Sequence, residues 1–264
     1  MKLNTISKIL FFAFFIFSCC HEIQAERQDS KSYPYNRYVP SCDWVCLEPY
    51  FLPLDHPIKG KLDAIFTKKR VTFSKESFEE AGFEKIKLRA PTNIVVGRHP
   101  ALKGYLIKAY LDTQPYLIDW VNWMNRIAGA QSIQECIKRH DFHHFEVPRK
   151  WIYPLPENPS PENLCNRKNF ILIVKEMPIL SNEKTLKFYR NKICPAQLDE
   201  LFILFTELGL IDSIYPDNIP VTKNGKIAFI DTEHHHQWPV KLEKFKHFLS
   251  PAMQEYWQVL IEKY

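Results

Sequence analysis

The sequence predicts an α+β domain, and three features carry that prediction. β-Favouring stretches alternate with turn signals between Lys85 and Val174, segments with helical spacing run from Tyr116 to about Arg139 and from Pro195 to Leu208, and an Asn224-Gly225 pair joins two short apolar runs. Strands dominate residues 59–177 and helices dominate 178–264, so two lobes are expected.

Met1 to Lys8 is basic and polar, Ile9 to Phe17 is apolar, and a small residue, Ala25, precedes a charged stretch. That order describes a signal peptide over residues 1–25, too short in its apolar part to span a bilayer, and the expected address is exported: periplasm, envelope or secreted. Cleavage after Ala25 and lipid attachment at Cys19 both fit, the latter because Ile16-Phe17-Ser18-Cys19 resembles a bacterial lipoprotein box. Residues 26–58 are rich in Tyr and Pro with little periodicity. They read either as an irregular arm packed through Trp44, Tyr50 and Phe51 or as a segment disordered to about residue 40.

Ser74 to Gly82 has a serine cap and a glycine stop for a short helix. Strands are expected at Lys85–Leu88, Asn93–Val96 and Gly104–Leu111, the last placing Leu106, Lys108 and Tyr110 on one face by strand alternation. The helix from Tyr116 carries Trp120, Trp123, Ile127, Ala130, Ile133 and Ile137 as an apolar stripe, with Gly129 as a candidate break. Strands at Phe145–Tyr153 and Phe170–Val174 follow, separated by a Pro- and Asn-rich loop. Pro195 to Leu208 is an amphipathic helix stopped by Gly209. A strand-turn-strand runs over Ile219–Lys223 and Lys226–Asp231, and two helices, 240–249 and 251–262, close the chain.

The formal charge of +5 is spread over mixed Lys and Glu, which describes a solvated surface and no nucleic-acid footprint. Outside the export segment stand Cys42, Cys46, Cys136, Cys165 and Cys194, an odd number at irregular spacing. Cys42 and Cys46 could bridge in an oxidising compartment, and a free thiol remains in any case. The runs Glu233-His234-His235-His236 and His140-Asp141-Phe142-His143-His144 invite a metal reading. Adjacent histidines cannot all face one ion, however, and zinc sites usually draw ligands from two elements or at i, i+4, so both runs read as polar loops. No Gly-x-Ser-x-Gly, His-Glu-x-x-His or Cys-His nucleophile pattern supports hydrolase chemistry.

The segment from Asp212 through Asn218 and the Asn224-Gly225 turn to Asp231 resembles the catalytic loop and following hairpin of protein kinases. Asn218 and Asp231 stand at that family's separation. The phrases Phe145–Pro154, Phe170–Met177 and Asn218–Glu233 also resemble exported kinase-like proteins of chlamydia-type bacteria. The resemblance covers roughly residues 85–249 and implies a two-lobed kinase-like domain with a truncated C-lobe. It implies ATP and Mg²⁺ as cofactors, with Asn218 and Asp231 holding the metal and Lys108 pairing with phosphates. Glu135 is then the candidate ion-pair partner of Lys108, and Asp212 or Asp217 would orient an attacking hydroxyl. Lys108 on its own also reads as a snorkelling lysine, and Asp231 on its own as a turn residue.

Departures from the pattern are definite. Ser213 stands where the catalytic Asp is expected, five residues before Asn218, and Asp231-Thr232-Glu233 replaces Asp-Phe-Gly. No His-Arg-Asp occurs, no Gly-rich loop precedes Lys108, and 33 residues follow Asp231. The expectation is therefore a pseudokinase or an atypical phosphotransferase. The alternative is a non-enzymatic exported interaction or scaffold protein, with a host or envelope protein as partner.

Overall fold

The computed structural model describes residues 32–86, 94–114 and 118–264. The expected signal peptide, the lipid-attachment site, the first residues of the arm, the ends of the strands expected at Lys85–Leu88 and Asn93–Val96 and the helix start expected at Tyr116 lie outside them.

The centre of the fold is a five-stranded antiparallel sheet in the order β1-β2-β3-β6-β5, formed by β1 (Glu84–Lys85), β2 (Ile94–Arg98), β3 (Tyr105–Tyr110), β5 (Lys150–Pro154) and β6 (Phe170–Lys175). The long segment expected as one strand from Phe145 is split. β4 (Phe145–Glu146) leaves the sheet and pairs in parallel with β7 (Ile227–Ala228), while β5 joins the sheet after the Val147-Pro148 bend. Central strand β3 sets Lys108 between Val96 on β2 and Leu172 on β6. Alternation along β3 therefore places Leu106, Lys108 and Tyr110 on one face and Ile107 and Ala109 on the other.

Each face has its own cover. Helix α4 (Asp119–Arg139) lies on the Lys108 face, where Trp123 and Ile127 pack with Tyr110, Ile152, Phe170 and Leu172. The opposite face buries Ile107, Ala109, Ile171 and Ile173 under α2 (Lys59–Phe66) and α3 (Lys75–Glu80). Ser74 caps α3 by accepting from the Ser77 N–H, and Gly82 follows at φ +92°, as the sequence anticipates. The N-terminal arm is more regular than expected. From residue 32 it is placed on the domain, and it contains α1 (Ser41–Leu47), whose Trp44 and Leu47 are buried, followed by Phe51 bridged to Ile152. Cys42 and Cys46 sit one turn apart on α1 with no disulfide between them.

The second core lies in the C-terminal part. Helices α5 (Asn182–Asn191), α6 (Pro195–Glu207), α7 (Glu243–Lys246) and α8 (Pro251–Lys263) surround Tyr189, Leu198, Leu201, Phe205, Phe245 and Trp257. The penultimate helix, expected over 240–249, is one short turn. The hairpin is also shorter than expected: Val221 bridges Ile227, the Thr222 N–H donates to the Lys226 carbonyl, and Gly225 turns at φ +85°. Among the described residues no helix is long and apolar enough to cross a membrane.

Candidate ligand-binding site

Three elements converge at the edge between the sheet face and the hairpin. β3 and β5 send Lys108 and Lys150 to the α4 side of the sheet, since Lys150 lies opposite Val174 and shares its face. The segment after β7 brings Asp231, Thr232 and Glu233 beneath α4. Gly129 is what lets it come so close: a Cβ there would lie 1.9 Å from the Thr232 carbonyl oxygen. The glycine read as a helix break is instead a contact point, and α4 runs through it unbroken.

Arg126, buried on the inner face of α4, donates to the Asp231 carboxylate with one terminal nitrogen and to Glu233 with the other. Its Nε is buried with no hydrogen-bond partner in the structure. Buried Lys150 donates to the Thr232 hydroxyl, which donates in turn to the Arg126 backbone carbonyl. The cluster thus sets Lys108, Arg126 and Lys150 against Asp231 and Glu233.

Lys108 keeps partial exposure as a residue, yet burial is the largest influence on its ammonium group. Burial draws its pKa down to about 8, Asp231 and Glu233 act to raise it, and Arg126 lowers it further. Lys150 is pushed well below the ordinary lysine value by burial and by the charge of Lys108. Burial acts to raise the Asp231 carboxyl, but Lys108, Arg126, Lys150 and the Glu233 backbone N–H together outweigh it, and the group lies below the usual carboxylate range.

Asn218 adjoins this cluster through the backbone, because the Ile230 N–H donates to its carbonyl oxygen at 3.1 Å. Its side-chain amide donates to the Asp212 carbonyl at 2.9 Å, tying the loop before the hairpin. Asp212 is half-buried, with its carboxylate 3.4 Å from His234 Nε2. Asp217 is exposed at the outer side of the same loop. Lys108 and Asp231 are therefore brought together, and Asn218 is joined to the strand end beside them.

Glu135 is placed elsewhere. Nine residues along α4 from Arg126, it falls on the opposite side of the helix at 3.6 residues per turn and is exposed. The charges that act on Lys108 are Asp231, Arg126 and Glu233. The residue that α4 contributes to the cluster is an arginine where the resemblance led to a glutamate. Its signal was present: Arg126 lies three residues after Trp123 and four before Ala130, inside the apolar stripe. Lys150 gave a similar signal as a lysine among Trp151, Ile152 and Tyr153.

The two histidine runs differ along their length: His140 caps the end of α4 with Nε2 2.8 Å from Glu207, and the others lie in loops. His144 Nδ1 lies 2.9 Å from Glu200, His143 faces Asp141, and His235 is half-buried beside Gly129. No protein-family model matches the chain, and no curated protein matches it.

Proposed function

We propose that the chain is an exported kinase-like domain, a pseudokinase or atypical phosphotransferase, that binds a nucleotide at the Lys108–Asp231 cluster. The observation that carries this reading is the meeting of the β3 lysine with the carboxylate at the end of the hairpin, from positions 123 residues apart in sequence, in the element order strand, helix, two strands, helices, hairpin. Lys108 and Lys150 supply positive charge for phosphate oxygens, and Asp231 is held ionised.

The donor set fits a magnesium ion in kind. Asp231 and Asn218 offer a carboxylate and a carboxamide, oxygen ligands that a hard divalent cation prefers. They would hold the ion, which when bound would neutralise phosphate charge. Arg126 already occupies the Asp231 carboxylate, so metal and arginine compete for one group. If phosphate is transferred, Asp212 or Asp217 would orient the attacking hydroxyl, in the absence of an acid at position 213.

That same arginine favours a second reading. A guanidinium bridging both carboxylates compensates their charge without any ligand, as a non-enzymatic exported interaction protein that keeps the arrangement for stability would do.

Melting of the chain with and without ATP and Mg²⁺ separates the two. A ligand present at a hundred times its dissociation constant stabilises the fold by about 2.7 kcal/mol. A rise in Tm that Lys108→Met and Asp231→Asn each abolish supports the nucleotide site. No rise at millimolar nucleotide overturns it in favour of the scaffold.

A further inference from the structure

Some 13 residues along α4 from the Arg126 turn, the helix ends in a second cluster that the proposed function does not use. Cys136 is buried against the C-terminal core, His140 is four residues on, and Glu207 closes α6 opposite them. One sulfur, one imidazole nitrogen and one carboxylate oxygen from these residues all lie within 4.8 Å of one another. His140 Nε2 and Glu207 Oε2 are already 2.8 Å apart. The ring of Phe142 stacks on His140 with centroids 5.1 Å apart and fixes the imidazole's orientation.

We infer that Cys136, His140 and Glu207 form a binding site for a zinc-class divalent cation, with solvent in the fourth position. The spacing and the use of two elements match what such sites need. Cys136 and His140 stand at i, i+4, their register held by the His140 N–H donating to the Cys136 carbonyl at 3.0 Å, and Glu207 comes from another helix. Zinc bonds of about 2.3 Å to sulfur and about 2.0–2.2 Å to nitrogen and oxygen put the donors in one tetrahedron after small side-chain movements. Charge also balances. The Cys136 thiol gives its proton to solvent on binding, and one thiolate, one carboxylate and a neutral imidazole then compensate a dication. Mixed S, N and O donors select a borderline-soft ion such as Zn²⁺ over Mg²⁺ or Ca²⁺.

The cluster already holds a cation. Arg139 donates to the Glu207 carboxylate and acts on the Cys136 thiol, while more than half of its own side chain is exposed. An exposed arginine can swing into solvent at little cost, so it is a competitor that the metal displaces.

Titration of the full chain with Co²⁺, and displacement by Zn²⁺, tests the site. A thiolate-to-cobalt charge-transfer band with tetrahedral visible absorption, saturating at one ion per chain, is expected. Cys136→Ser should remove the band, and His140→Gln and Glu207→Gln should each weaken affinity by about tenfold or more. Arg139→Gln should tighten it. His140 and Glu207 are largely at the surface, so their variants decide the matter even if Cys136→Ser fails to fold. A band that survives Cys136→Ser, arising from exposed Cys42, Cys165 or Cys194, overturns the proposal. So does an affinity indifferent to His140→Gln and Glu207→Gln, or one that Arg139→Gln weakens.

Discussion

Arg126 donates to Asp231 across 105 residues of sequence, and the same guanidinium holds Glu233. This bridge fixes the end of the hairpin to the inner face of α4. Arg126→Met leaves two carboxylates without the α4 cation. A loss of about 2 kcal/mol is expected in urea unfolding, less than a fully buried pair would cost because 36% of the Asp231 side chain faces solvent. The variant also frees Asp231 for a metal. Under the nucleotide reading, the Tm rise with ATP and Mg²⁺ should therefore be larger in Arg126→Met than in the wild type, relative to each protein's own baseline.

Lys108 gives the cluster a pH signature. Its pKa in the fold is about 8, against about 10.4 for an unperturbed lysine, so the unfolded chain binds more protons between those values. Stability from this group therefore rises with pH across that window, and its penalty is fully present below it. Lys150 is displaced in the same direction. Stability curves of wild type and Lys108→Met should diverge in slope between about pH 8 and 10, the wild type gaining relative to the variant. Tyrosine titrations are common to both and cancel. A constant difference across that range would place Lys108 in solvent.

Much of this arrangement was legible in the sequence, and the parts that were not each have their own cause. Alternation around Lys108, the Ser74 cap and the Asn224-Gly225 turn follow from local chemistry, so the strand, the helix start and the hairpin could be read directly. Arg126 left a visible trace without an assignable role, because a charged residue on an apolar stripe looks like a gap in the stripe, and only the carboxylates 105 and 107 residues later explain it. α5 was missed because it is short, with Leu186, Phe188 and Tyr189 as its apolar residues among seven polar or charged ones, too few to register as a period. Glu135 failed as a partner because helical phase, which the sequence does contain, puts it opposite Arg126.

Gly129 offers a test of how tightly the segment 231–233 is held. Alanine normally gains about 1 kcal/mol over glycine inside a helix. Here its Cβ would meet the Thr232 carbonyl at 1.9 Å, and backbone cannot yield as a side-chain tip can. Gly129→Ala should therefore destabilise the chain by about 1–3 kcal/mol, with Thr232 and its bond to Lys150 displaced. Gly60→Ala, in α2 with open space at its Cβ, is the control and should be neutral or stabilising. Equal behaviour of the two variants in denaturant would show that the 231–233 segment is not packed against α4.

Asp119 anchors the other end of α4. Its carboxylate accepts the backbone N–H groups of Asn169 at 3.0 Å and Phe170 at 2.8 Å, which locks the first turn of the helix to the start of β6 and so sets where Arg126 falls. The group is fully buried, and one of its oxygens has no partner in the structure. Burial raises its pKa to about 7, although both N–H donors and Lys168 act to lower it. With an ordinary carboxyl near 3.9, the folded chain binds more protons than the unfolded chain between about pH 4 and 7. Stability from Asp119 is thus fully present below that range and is lost as pH rises through it. Asp119→Asn keeps an acceptor for both N–H groups and carries no charge. Its stability should match the wild type near pH 4 and exceed it near pH 8, measured by urea unfolding at each pH. Asp119→Ala leaves two buried N–H groups without an acceptor and should lose about 2 kcal/mol near pH 4, a deficit that should shrink as pH rises and the wild-type carboxyl ionises. A wild-type-minus-Asn difference that stays flat from pH 4 to 8 would mean that the carboxyl is ionised throughout, with the Asn169 and Phe170 amides and Lys168 outweighing burial.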